Sequence, residues 1–159
     1  MKLIVGVADM KVSRAPGDTI ITYSLGSCIG VALHDPVAKV GGLLHFMLPE
    51  SSLSPEKAKA NPFMFADTGI AAFFRESYRL GAAKERIVVK VAGGSQVLDP
   101  NGMFNIGKRN ILAMRKIFWQ HGVLMGGTAL GGTVNRTVTV HVSTGEVHVK
   151  TSGQGTELL

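Results

Sequence analysis

Cysteine is almost missing from this sequence of 159 residues. The one present, Cys28, can form neither an intrachain disulfide nor a thiolate zinc cluster. A lone cysteine fits a reducing compartment. Long apolar runs are missing as well: none approaches the roughly 18 residues that a membrane-spanning helix needs. The opening stretch, Met1-Lys2-Leu3-Ile4-Val5-Gly6-Val7-Ala8-Asp9, turns polar too soon for a secretory signal. There is no internal repeat, no low-complexity tract and no run of like charge. The 17 Lys and Arg outnumber the 11 acidic residues, for a formal net charge of +6, but they are dispersed. No RNP-like, zinc-finger or helix-turn-helix pattern accompanies them. These absences exclude a disulfide scaffold and a helical membrane protein. They lead to the expectation of a cytoplasmic protein with no nucleic-acid partner and no membrane insertion.

What is there has the balance of a globular chain, 45% apolar and 18% charged, and the length of one domain spanning residues 1–159. Twenty glycines point to tight turns and to places of close backbone approach. β-branched and alternating stretches predict strands over Leu3 to Ala8, Thr19 to Leu25, Ile29 to Leu33, Lys39 to Leu48, Ile87 to Ala92 and Val123 to Leu130. The stretch from Glu50 to Pro62 reads as a surface loop. Two helical patterns follow: one capped by Asp67, running to Leu80 and stopped by Gly81, the other capped by Asn105, running to His121 and stopped by Gly122. Their stripes are Ile70, Phe73, Phe74 and Leu80, then Ile111, Met114, Ile117 and Phe118. Thr137 to Val142 and Glu146 to Lys150 form a hairpin with its valines facing inward. Many strands and two main helices make the expected class α+β, mostly antiparallel, with both helices on one face of a sheet.

The chemistry concentrates in one hairpin. If its turn is centred between Pro36 and Val37, paired residues sum to 73, and Leu33, Val31 and Ile29 meet Val40, Gly42 and Leu44. The same register sets Cys28 opposite His45, at the roughly 4.5–5.5 Å Cβ spacing of cross-strand partners. An imidazole there would lower the pKa of the thiol and activate it. Gly26, Ser27 and Gly30 are small neighbours that leave the sulfur accessible, and the backbone N–H groups near Gly26, Ser27 and Cys28 are candidate oxyanion donors. A buried cysteine beside a satisfied core histidine explains the same letters, and spacing alone leaves both readings open.

The segment Thr22-Tyr23-Ser24-Leu25-Gly26-Ser27-Cys28-Ile29-Gly30-Val31, followed by Gly42-Leu43-Leu44-His45-Phe46-Met47-Leu48-Pro49, resembles the signature of the CheD chemoreceptor glutamine deamidases. Ala66-Asp67-Thr68, Gly93-Gly94, Asn105-Ile106-Gly107-Lys108-Arg109-Asn110, Gly131-Gly132 and the closing Gly-x-Val-x-Val-Lys hairpin extend the likeness along the chain. One departure is Thr128-Ala129-Leu130, where an acidic residue often precedes the glycines. The resemblance implies a layered α/β/β sandwich related to the cytotoxic necrotizing factor toxins. It implies a catalytic cysteine, histidine and threonine at Cys28, His45 and Thr22. It also implies deamidation of receptor glutamines through a thioester, with hydrolysis of glutamate methyl esters at the same site. Chemotaxis receptors would be the protein substrate and the CheC phosphatase a regulatory partner; no cofactor and no metal is called for. A hydrolase of another amide, or a non-catalytic binding module, remains the alternative.

Other signals carry less. Gly102 to Arg109 falls one residue short of a Walker A loop and puts Arg109 where a magnesium-binding hydroxyl is required. His141 and His148 face each other under a symmetric hairpin turn, yet no third metal ligand is evident.

Overall fold

The computed structural model describes residues 1–96 and 104–159. The chain builds β1 (Lys2–Val5), β2 (Asp9–Ser13), β3 (Thr19–Leu25), β4 (Ile29–Asp35), β5 (Val40–Phe46), α1 (Pro55–Ala60), α2 (Ala66–Arg79), β6 (Val88–Gly93), α3 (Ile106–Gln120), β7 (Met125–Leu130), β8 (Arg136–His141), β9 (Val147–Thr151) and β10 (Gly155–Leu158). These form two five-stranded sheets, β1-β3-β8-β9-β10 and β2-β5-β4-β6-β7. Among the strands of the described residues, only β1 with β3 and β6 with β7 run parallel. The class is the expected α+β, mostly antiparallel, in three layers.

Side-chain alternation explains the layering. On β4, Ile29, Val31 and Leu33 face one way, and on β5 Leu44 and Phe46 face the same way. They meet Ile70, Phe73 and Phe74 of α2 and Met114 and Phe118 of α3. The opposite face of those strands carries Ala32 and Leu43, which pack with Val5, Ile20, Leu25, Val138, Val140 and Val149 of the other sheet. Both strands are therefore buried on two faces along their full length. A Cβ on Gly41 would meet Val142 Cα at 3.2 Å.

Several details depart from the sequence expectation. The first strand ends at Val5, and Ala8, at φ 56°, turns the chain into the unanticipated β2. The stretch 50–62 holds the short helix α1. Asp67 lies inside α2, past the cap position held by Phe65; its carboxylate accepts from the Ser51 N–H and Oγ and from the Thr68 N–H. Asn105 precedes α3 in the left-handed region (φ 51°), and its carbonyl accepts from the Arg109 N–H while its side chain makes no capping bond. Leu80 is half-buried outside the helix–sheet core, where Ser77 is buried in its place. The helix stops are as read, with Gly81 and Gly122 both at positive φ. Gly102 and Met103 of the Walker-like stretch lie outside the described residues.

The β4–β5 register also differs. Asp35 pairs with Val40, Leu33 with Gly42, Val31 with Leu44 and Gly30 with His45. Paired residues sum to 75, so Cys28 and His45 are not opposite. The turn chemistry is the cause. The Asp35 carboxylate accepts from the N–H groups of Val37 (2.9 Å) and Ala38 (3.0 Å), and Lys39 sits at φ 58°. That closes a four-residue loop centred one residue later than a symmetric Pro36-Val37 turn. Asp35 is fully buried. Burial raises its pKa, but the Arg86 guanidinium and the Ala38, Ala83 and Val37 N–H groups outweigh it, so it stays well below the ordinary carboxylate value.

Candidate active site

The site lies between the sheets, at the end of β4 where the chain crosses over from β3. Ser24, in the left-handed region at φ 58°, breaks the β3–β8 register between Thr22 and Leu25. The chain then leaves sheet one through Gly26-Ser27-Cys28 and enters β4 at Ile29. Cys28 is half-buried, and it packs against the apolar cluster between the sheets. His45 lies on β5 opposite Gly30, where a Cβ would meet Leu25 Cδ1 at 3.0 Å. The imidazole is buried and reaches across to sheet one, where its Nδ1 lies 2.8 Å from Thr22 Oγ1. Cysteine and histidine therefore share the inter-sheet side. They sit diagonally, with the sulfur two residues before Gly30.

The threonine decides the state of the ring. Thr22 Oγ1 also lies 2.8 Å from the Val5 carbonyl oxygen, which can only accept. The single hydroxyl proton goes there, so the hydroxyl must accept from His45, and Nδ1 carries the hydrogen. Nε2 is left as the basic lone pair, buried and without a hydrogen-bonding partner among the described residues. Burial pushes the imidazole down to about 4, against a small upward pull from Asp9, its cross-strand partner on β2. Burial pushes the Cys28 thiol the other way, up to about 11, opposed by its own backbone N–H. At neutral pH both groups rest uncharged, which differs from the thiolate lowered by an imidazolium that the direct pairing suggested.

The loop that presents the sulfur is clamped from the β6–α3 side. The Gly94 N–H donates to the Cys28 carbonyl (2.9 Å) and the Ser95 N–H to the Gly26 carbonyl (2.8 Å). Asn110 Nδ2 donates to the carbonyls of Ser27 (2.9 Å) and Met47 (2.8 Å). Arg136 steadies the clamp through the Gly93 carbonyl (3.2 Å) and Ser95 Oγ (3.1 Å). A Cβ on Gly93 would overlap the Cys28 carbonyl oxygen, so only glycine fits there. By contrast, the N–H groups of Ser27 and Cys28 donate to no backbone carbonyl among the described residues, and the Cys28 N–H meets only its own thiol sulfur. Sequence reasoning missed Ser95, Asn110 and Arg136 as parts of the site. One signal was readable: Asn110 is a polar residue on the apolar stripe of α3, four positions before Met114.

The model of the CheD family, described as chemotactic sensory transduction, matches residues 47–151. The chain belongs to the CheD family. That match begins just after His45, but full-length relatives extend it over nearly the whole sequence. A protein of Syntrophus aciditrophicus, named "Probable chemoreceptor glutamine deamidase CheD 1", is 53% identical over 95% of this chain and 94% of its own. The Solibacter usitatus relative, with the same name less the numeral, is 46% identical over 99% of this chain and 94% of its own. A Syntrophotalea carbinolica relative is 44% identical over 96% of each.

Elsewhere, the two hairpin histidines are not directly paired. His148 pairs with Thr139, and the His141 N–H donates to the Glu146 carbonyl, because the turn through Thr144-Gly145 is centred one residue earlier than expected. Their rings still touch edge to face, 5.2 Å between centroids. Among the described residues no group of three His, Cys, Asp or Glu is gathered to hold a metal, and no helix is long and apolar enough to cross a membrane.

Proposed function

We propose that this CheD-family chain hydrolyses glutamine side chains of chemotaxis receptors to glutamate, with Cys28 as nucleophile, His45 as general base and acid, and Thr22 orienting the ring. The observation that carries the reading is the fixed tautomer. A histidine whose Nδ1–H is held by Thr22, and whose Nε2 is left unpartnered on the cysteine's side of the sheet, is set to take one proton and return it.

As a receptor carboxamide enters, Nε2 takes the Cys28 proton while Sγ attacks the amide carbon. The carbonyl oxygen becomes an oxyanion, received by the N–H groups of Ser27 and Cys28, which no backbone carbonyl takes up among the described residues. The imidazolium, its Nδ1–H still on Thr22, gives its proton to the nitrogen. Ammonia leaves and a thioester forms. Water then loses a proton to Nε2 as it attacks the thioester, the thiol regains that proton, and glutamate is released. A glutamate methyl ester enters the same cycle with methanol leaving. Every proton is accounted for by these side chains, so the cycle calls for no cofactor or metal. Because the resting pair is neutral, substrate binding has to drive the proton transfer, by excluding water and offering the electrophile.

A cytoplasmic location follows from this role, since the free thiol must stay reduced and receptor modification sites face that compartment. Residues 1–159 act as one domain in this reading, because Thr22 and His45 come from different sheets. CheC is the expected regulatory partner. The test is mass spectrometry of a receptor co-expressed with the protein. The wild type adds about one dalton per converted glutamine and Cys28→Ala adds none; equal conversion by the two ends the proposal.

A further inference from the structure

Asn110 stands where α3 calls for a hydrophobe, and it is fully buried. Both hydrogens of its Nδ2 go to carbonyls from separate segments: Ser27, just before the nucleophile, and Met47, two residues past the base. Since both neighbours are carbonyl oxygens, the flipped amide would set oxygen against oxygen, so the nitrogen must face them. Oδ1 is thereby left buried with no donor among the described residues. An amide that ties two carbonyls while orphaning its own acceptor gains little stability from the exchange. What it secures is orientation.

The peptide joining Ser27 to Cys28 is trans, so its C=O and N–H point in opposite directions. Holding the Ser27 oxygen toward α3 turns the Cys28 N–H away from α3, where its own thiol sulfur is the one acceptor it meets among the described residues. The other ties on this loop, from the Gly94 and Ser95 N–H groups, are backbone bonds. Asn110 is the only side chain among the described residues that hydrogen-bonds to residues 26–28.

We propose that Asn110 is a positioning residue of the reaction: through the Ser27–Cys28 peptide it aims the Cys28 N–H at the oxyanion, and through Met47 it ties that peptide to the strand carrying His45. The proposal rests on the deamidase reading and adds to it the residue that aims the oxyanion donor.

The test compares wild type with Asn110→Ala and Asn110→Ser on a receptor glutamine, on a peptide bearing the glutamine aldehyde, and with iodoacetamide. The thiol adds across the aldehyde C=O: the S–C bond forms and the sulfur's proton ends on the oxygen, which occupies the oxyanion position. Alkylation makes no oxyanion. Asn110→Ala should lower kcat about 10- to 100-fold with KM within about twofold, because aim and not binding is lost. Aldehyde affinity should fall by about the same factor while the alkylation rate holds within about twofold. Asn110→Ser, which keeps one donor, should fall between, and it is read by the same criteria if the alanine variant melts below assay temperature. Unchanged kcat in an active, folded variant overturns the proposal. So does a parallel fall of aldehyde affinity and alkylation, which marks a loosened loop. An inactive wild type sinks the deamidase reading instead.

Discussion

With Cys28 pushed up to about 11, roughly 3 in 10,000 molecules carry a thiolate at pH 7.5, against about one in ten for a free thiol of pKa about 8.5. The more basic thiolate is the better nucleophile; a Brønsted slope of about 0.4–0.5 returns a little over tenfold. Iodoacetamide should therefore alkylate Cys28 roughly 20-fold more slowly than free cysteine at pH 7.5, and the rate should climb about tenfold per pH unit to about pH 10. Absorbance of the thiolate near 240 nm should follow the same curve. His45→Asn should leave that curve in place, since an imidazole pushed down to about 4 contributes no cation above pH 5. A rate plateau between about pH 5 and 8 that vanishes in His45→Asn would refute the reasoning. It would show a thiolate–imidazolium pair formed before substrate arrives, and burial would not be the dominant force on either group.

His45 also sets a stability window. Its ordinary value is 6.5 and its folded value about 4, so between these the unfolded chain binds the extra proton. Stability should be lost as pH falls through 6.5, by about 3 kcal/mol at pH 4 and below, and urea melts of His45→Asn should lack that component. Thr22→Val leaves Nδ1–H without its acceptor and frees the tautomer; kcat should fall about 10- to 100-fold, less than for Cys28→Ala, and Thr22→Ser should restore most of it. Gly93→Ala drives a Cβ into the Cys28 carbonyl at φ 116°. It should cost about 2–4 kcal/mol by denaturant titration and abolish activity even where the protein is folded.

What the sequence could not reveal has identifiable causes. Hydrophobic alternation has a period of two, so it assigns faces but not offsets. Sums of 73 and 75 put Ile29, Val31 and Leu33 on the same side of β4 and against equally apolar partners. The deciding group was Asp35, whose carboxylate folds the turn by capping Val37 and Ala38. β10 was unreadable for a different reason: all four of its residues are exposed, and it exists through pairing with β9, not through any pattern of its own. β2 is an edge strand, half-buried along most of its length, with the same weakness. The long buried elements, β4, β5, α2 and α3, were legible because burial writes a strong period.

The site shows the same division. Spacing alone left Cys28 between nucleophile and core packing; the family motif chose the first. Neither could indicate that Thr22 gives its proton to the Val5 carbonyl, a contact between residues 17 positions apart that settles which nitrogen of His45 carries the hydrogen. Had Cys28 been paired across the ladder with His45, it would have been part of β4. That strand is central, with β5 on one side and β6 on the other. Inside it, backbone N–H groups are taken up by one neighbour or the other. Standing one residue before the strand, Cys28 keeps its N–H out of the ladder while the Gly94 and Asn110 bonds hold the carbonyls on either side of it. A cysteine just outside the strand thus keeps clear of the ladder the N–H that the proposed mechanism assigns to the oxyanion, which a directly paired one would have lost.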